Sequence, residues 1–125
     1  MPETSFPVEV VAGVPVVAAP GEIDAANVAG LRAALLDAAA HGKRTLVVDM
    51  SRTQFCDSSG LNVLVRAHQR AQTDGGEVLL VISAAAVLRI LALTGIDRLI
   101  PRFTSLREAL AQTPDPSTHP PLPTG

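Results

Sequence analysis

The sequence predicts a single α/β domain, and three observations carry that reading. Two uninterrupted apolar runs, Thr45 to Met50 and Val78 to Ile82, have the pattern of strands buried on both faces, not the alternation of a half-solvated sheet. Between them lies a segment with helical periodicity, and a strand–helix–strand unit closes as a right-handed crossover between parallel strands. Size is the third observation. A chain of 125 residues buries about two-thirds of the surface its unfolded form exposes, which suffices for one core without metals or disulfides and not for two.

The elements follow in order. After an N-terminal lead over residues 1–7, Val8 to Val11 and Val14 to Ala19 flank Ala12-Gly13, the pattern of a hairpin. Pro15 lacks a ladder donor, so the pair is expected at a sheet edge. Beyond Pro20-Gly21, Asp24 stands as a helix N-cap, and Val28, Leu31 and Leu35 recur at helical spacing until His41-Gly42. The segment between the two buried strands reads as a helix with Leu61, Leu64, Val65 and Ala71 toward the sheet and Arg66, Gln69, Arg70 and Thr73 toward water. It ends at Asp74-Gly75-Gly76. Ala85 to Thr94 gives a third helix closed by Gly95, Arg98 to Phe103 holds a short last strand, and Ser105-Leu-Arg-Glu108 is a capping box opening a fourth helix. The domain is therefore expected over residues 8–112. From Thr113 to Gly125, five of thirteen residues are proline and only Leu122 is a sizeable hydrophobe, a composition that cannot offset its ordering entropy. A disordered tail is expected there.

Composition narrows the function. Ten basic and twelve acidic residues give a net charge of −2 with no polybasic run, which argues against nucleic acid or an anionic membrane surface as partner. Three phenylalanines, Phe6, Phe55 and Phe103, are the whole aromatic complement, so base-stacking platforms are scarce. The N-terminus lacks a basic, then apolar, leader pattern, and no eighteen-residue apolar run occurs. A single cysteine, Cys56, suits a reducing compartment, and a cytoplasmic location is expected. Three scattered histidines lack metal-ligand spacing, so neither a metal nor a cofactor is expected.

The informative stretch runs from Asp49 through Asp57-Ser58-Ser59-Gly60-Leu61. It leaves a buried strand and opens a helix, so two hydroxyls and a carboxylate sit where unpaired backbone N–H groups and the positive end of a helix dipole converge. One reading is a plain helix cap, with Gly60 allowing close packing. The other makes Ser58 a phosphorylated switch, because a helix N-terminus accommodates phosphate without rearrangement. Catalysis by Ser58 lacks a motif: the nucleophile-elbow pattern fails at Cys56, and neither His41 nor His68 is placed near the loop by sequence. An enzyme is not expected.

The run from Phe55 to Leu61, reached from Asp49 and followed by Gly75-Gly76, resembles the phosphoacceptor loop of bacterial anti-sigma factor antagonists in the STAS superfamily. Gly21-Glu22-Ile23-Asp24 resembles that family's turn before the first helix; Leu93 to Asp97 and Ser105 to Leu110 resemble its C-terminal signatures. The resemblance covers Val8 to Gln112 and implies a single STAS-like domain, a mixed β-sheet flanked by about four α-helices. It also implies partner switching. The unmodified antagonist binds an anti-sigma factor that is a serine kinase with a histidine-kinase-like ATPase fold, which frees a sigma factor. Phosphorylation of Ser58 ends the binding, and a metal-dependent Ser/Thr phosphatase resets the cycle. Carried over by position, Asp24, Asp57, Ser58, Ser59, Gly60 and Leu61 form the partner-binding set. Two other roles are compatible with the family: an accessory STAS subunit of a transport ATPase, docking without phosphorylation, and an orphan partner-switching phosphoprotein acting on a target other than a sigma factor.

Overall fold

A computed structural model describes residues 5–112. Strands β1 (Val8–Val11) and β2 (Val14–Ala18) form the expected hairpin, with Val11 opposite Val14. Its two turn residues, Ala12 (φ 52°) and Gly13 (φ 81°), both have positive φ, which gives the turn the twist a two-residue hairpin needs. The hairpin lies at the sheet edge with β1 outermost, but Pro15 is on the inner strand. It sits outside the register that β2 shares with the next strand, which begins at Val16 opposite Val47, so its missing donor leaves no ladder bond unmade.

The remaining elements are β3 (Glu22–Ile23), α1 (Val28–Ala39), β4 (Thr45–Met50), β5 (Phe55–Cys56), α2 (Ser58–Thr73), β6 (Glu77–Ile82), α3 (Ala85–Thr94), α4 (Ile96–Leu99), β7 (Arg102–Phe103) and α5 (Leu106–Ala111). The main sheet has the order β1-β2-β4-β6-β7 and is parallel apart from β1. The two continuous apolar runs are β4 and β6, paired in register from Thr45–Glu77 to Met50–Ile82 near the middle of the sheet. Both faces are covered. Leu46, Val48, Met50, Val78, Leu80 and Ile82 pack under α1, α2 and α3, whereas Val47, Leu79 and Val81 pack under α5. Each fully buried aliphatic side chain contributes about 1.5–3 kcal/mol, so the central strands dominate the driving force.

Several expectations are corrected. Helix α1 begins at Val28 with Asn27 in the N-cap position, three residues after Asp24. The Asp24 side chain instead accepts the Ala26 N–H at 3.0 Å, closing a turn ahead of the helix. Within the expected last strand, only Arg102–Phe103 pairs into the sheet. Gly95 adopts φ 80°, ends α3 and lets the chain re-enter a helical turn at Ile96, whose side chain is buried; with α4 the described residues hold five helices, where about four were expected. Helix α2 starts at Ser58, because Asp57 caps it. Within α2, Val63 and His68 are buried, whereas Val65 and Ala71 are half-buried. Phe6, in the lead segment, is buried against the main core. The expected tail, 113–125, lies outside the described residues.

Candidate functional site

Beside the main sheet, β3 and β5 form a parallel pair of two residues each, with Glu22 opposite Phe55 and Ile23 opposite Cys56. Three further bonds extend the seam. Thr53, fully buried, donates its hydroxyl to the Pro20 carbonyl at 2.7 Å. Gln54 N–H donates to the Gly21 carbonyl at 2.8 Å, and Asp57 N–H to the Ile23 carbonyl at 3.0 Å. This seam lays the Gly21–Asp24 turn along the serine loop, two segments more than thirty residues apart in sequence. Asn27 fixes the turn from the other side: its Oδ1 accepts Asp24 N–H at 2.9 Å, and its Nδ2 donates to the Glu22 carbonyl at 2.8 Å.

Asp57 is the hub of the loop. One carboxylate oxygen accepts the Ser59 hydroxyl at 2.5 Å, the Ser59 N–H at 2.9 Å and the Gly60 N–H at 3.3 Å. These bonds, the Ser59 hydroxyl foremost, and a further one from the Ala25 N–H hold the carboxyl below its ordinary range. The anion thus closes the first turn of α2, and the Asp57 N–H joins that turn to the Ile23 carbonyl.

The two serines consequently differ. Ser59 is half-buried and its hydroxyl is committed to Asp57. Ser58 is exposed, and no hydrogen bond among the described residues holds its hydroxyl. Sequence alone could not separate the pair; the cap geometry does. Gly60 and Leu61, both in the expected partner-binding set, are buried on the first turn of α2. A Cβ on Gly60 would stand 2.7 Å from both Cys56 Sγ and Ile23 Cγ2, so only glycine lets α2 approach the β3–β5 seam this closely. Asp24 is half-buried beside the loop, with its carboxylate turned back on its own backbone.

Two residues of the site escaped sequence reasoning. Phe55 exposes 48% of its surface one strand residue before Cys56 and three positions ahead of the exposed serine. Its signal was present in the loop motif but read only as part of the pattern. Thr53 gave no local signal at all, because its partner is distant in sequence. Cys56 is buried, and burial, reinforced by the Asp57 charge, pushes its thiol from 9.0 up to about 12. The thiolate that nucleophilic chemistry needs is therefore absent near neutrality. His68 lies ten residues along α2, about 15 Å from Ser58, where its Nδ1 accepts the Val78 N–H at 3.1 Å while Nε2 is buried without a partner among the described residues. His41 bonds the Asp37 carbonyl at the far end of α1. Among the described residues no group of three acidic, His or Cys side chains is arranged to hold a metal ion, and no helix is long and apolar enough to cross a membrane.

The sequence matches the family model of the STAS domain over residues 5–109. Among solved structures, an anti-sigma factor antagonist from Mycobacterium paratuberculosis is 32% identical, with a TM-score of 0.78, over 86% of this chain and 91% of that one. SpoIIAA of Bacillus, an anti-sigma factor antagonist solved in its unphosphorylated and phosphorylated forms, shares the fold. The TM-scores are 0.65 and 0.66 at 21% and 22% identity, over 86% of this chain and 94% and 98% of those chains. The murine Solute Carrier 26 family member A9 anion transporter is 25% identical over 81% of this chain but only 18% of its own length, with a TM-score of 0.63. The seam, the capped serine loop and the five-helix mixed sheet thus stand in a chain that belongs to the STAS domain family, with the fold of its anti-sigma factor antagonists.

Proposed function

We propose that this protein is a phosphorylation-controlled anti-sigma factor antagonist, a binding module of the bacterial cytoplasm and not a catalyst. In its unmodified form it sequesters an anti-sigma factor that is a serine kinase with a histidine-kinase-like ATPase fold, and so frees a sigma factor. That kinase phosphorylates Ser58 and the complex separates; a metal-dependent Ser/Thr phosphatase restores the hydroxyl. The observation that carries the reading is the asymmetry of the serine pair: Ser58 is exposed and uncommitted on the first turn of α2, while Ser59 is tied to Asp57. The docking face comprises Ser58 and the exposed ring of Phe55, with Asp24 and Asp57 at its margin and Ser59, Gly60 and Leu61 supporting it.

The switch needs no conformational change. Phosphate adds about −1.5 to −2 charge one residue from a carboxylate that is ionised and bound. Burying that charge beneath a partner costs several kcal/mol through desolvation and like-charge repulsion. Reversing a 99:1 equilibrium takes about 5.5 kcal/mol of differential binding, so one modification approaches the requirement. The transporter likeness covers a small part of a long chain and leaves the uncommitted serine without a role.

The test is incubation with candidate anti-sigma serine kinases and ATP, followed by peptide mass spectrometry and pull-down. Phosphate on Ser58, persistent kinase binding by Ser58→Ala and weak binding by Ser58→Asp are the expected results. Phosphate on Ser59 instead, or equal binding by both variants, refutes the scheme.

A further inference from the structure

We infer that the cleft between α1 and the C-terminal half of α2 is a binding site for a free, single-chain anionic amphiphile, the chemistry of an aliphatic carboxylate. The cleft encloses about 530 Å³, within the range of pockets that hold small molecules, roughly 300–1,000 Å³. Its floor is aliphatic: Leu35, Leu46 and Val63 are buried there, Ala67 and Ala71 are half-buried, and Leu36 is half-exposed at the side. Its rim is cationic, with Arg32 from α1, Lys43 and Arg44 from the loop before β4, and Arg66 and Arg70 from α2, opposed by Asp74 alone.

Charge complementarity selects the occupant. The chain has ten basic residues and a net charge of −2, yet five of those ten surround this one cleft. Among the described residues none of the five is held in an ion pair. Unpaired guanidinium groups around an apolar hollow suit a ligand that brings its own anion and an apolar body. The lining contains no aromatic side chain, so a nucleotide base finds no stacking surface, whereas an alkyl chain matches Leu, Val and Ala. The lining residues Leu35, Leu46 and Val63 are buried, which suits a single chain entering the cleft better than a flat membrane surface.

The site is separate from the serine loop. On α2 its lining runs from Val63 to Asp74, mostly in the C-terminal half, and it includes neither Ser58 nor any residue of the β3–β5 seam. Occupation therefore leaves Ser58 accessible, and the inference stands whether or not Ser58 is a phosphoacceptor.

The experiment uses the full chain and dodecanoate below its micellar concentration, followed by calorimetry and by amide chemical shifts. We expect saturable binding with a Kd on the order of 100 µM and shifts concentrated at Val63, Ala67 and Ala71. The double substitution R66E/R70E, at two exposed positions, should weaken binding about tenfold or more while leaving the thermal midpoint in place. Shifts mapped on the unsubstituted protein test the location independently. Equal binding of dodecyltrimethylammonium, no saturation by dodecanoate, or shifts elsewhere overturns the inference. Tighter association with phosphatidylglycerol vesicles than with the monomer, or binding of an acidic amphipathic peptide in place of dodecanoate, overturns it in favour of a membrane or a protein partner.

Discussion

The two ends of helix α2 solve the same problem by different chemistry. At each end, backbone groups lose their helical partners. At the N-terminus a side chain supplies the remedy: the Asp57 carboxylate takes the N–H groups of Ser59 and Gly60. At the C-terminus the backbone closes on itself. Gly75, at φ 82°, donates to the Gln72 carbonyl at 3.0 Å, and Gly76 donates to the Ala71 carbonyl at 2.7 Å, the paired bonds of a Schellman motif. A backbone closure offers no group to modify. The side-chain cap leaves one hydroxyl bound and its neighbour uncommitted, so the end stabilised by charge is the one that presents an exposed hydroxyl.

The largest effect should come from breaking the backbone closure. A Cβ on Gly76 would stand 1.6 Å from the Arg44 carbonyl oxygen, so the strand-opening segment and the loop before β4 must separate. Gly76→Ala is expected to lower stability by at least about 3–4 kcal/mol, at the extreme of single substitutions. Thermal unfolding measures it, and a loss below 1 kcal/mol would mean that the C-terminal closure is compliant. Gly60→Ala should come next. Its Cβ meets the buried Cys56 and Ile23 side chains rather than backbone, an overpacking that costs about 1–3 kcal/mol. Because the clash lies beneath the first turn of α2, kinase phosphorylation should fall as well, and a variant that unfolds readily yet is phosphorylated at the original rate would disconnect loop placement from recognition.

These two glycines mark how far the sequence could be read. Gly75-Gly76 was legible as a helix stop because the signal is local, and the runs that became β4 and β6 were legible because burial on both faces writes itself into every residue. The β3–β5 seam was not. Two-residue strands have no periodicity, and their stability comes from Thr53 reaching Pro20 and Asp57 reaching Ile23, contacts between segments about thirty residues apart. Asp24 attracted the N-cap role because its residue type suits it, yet Asn27 occupies the position, since Asp24 is needed to close the preceding turn. Likewise α4 hides behind Gly95, a left-handed residue that ends one helix and starts the next. The serine loop was found from its motif, whereas the inequality of the two serines required the cap geometry.

Acid titration sharpens the contrast between the two ends. The Asp57 carboxyl is held below its ordinary value of 3.8 in the folded protein. Its contribution to stability is therefore complete above that value and is lost as pH falls through the lower, folded one. The backbone closure at Gly75-Gly76 has no such dependence. Stability measured from pH 7 downward should drop more steeply for the unsubstituted protein than for Asp57→Asn, so that the gap between them narrows below pH 3.8. Glu108, also lowered from 4.5 by its bonds to Thr104, titrates alike in both and cancels in the difference. A gap that stays constant to the lowest pH would show that charge is not what caps α2.

The smallest effect is the most informative about the site. Ser58→Ala removes an exposed hydroxyl with no bond to lose and should change stability by less than about 0.5 kcal/mol. Ser59→Ala deletes the 2.5 Å bond that does most to depress the Asp57 titration. It should destabilise more than Ser58→Ala and move the Asp57 carboxyl, followed by its carbon resonance, back toward 3.8. Ser58→Ala should leave that titration where it is. If the two substitutions shifted Asp57 equally, the serines would share the cap, and either hydroxyl would need to leave the carboxylate before a kinase could use it.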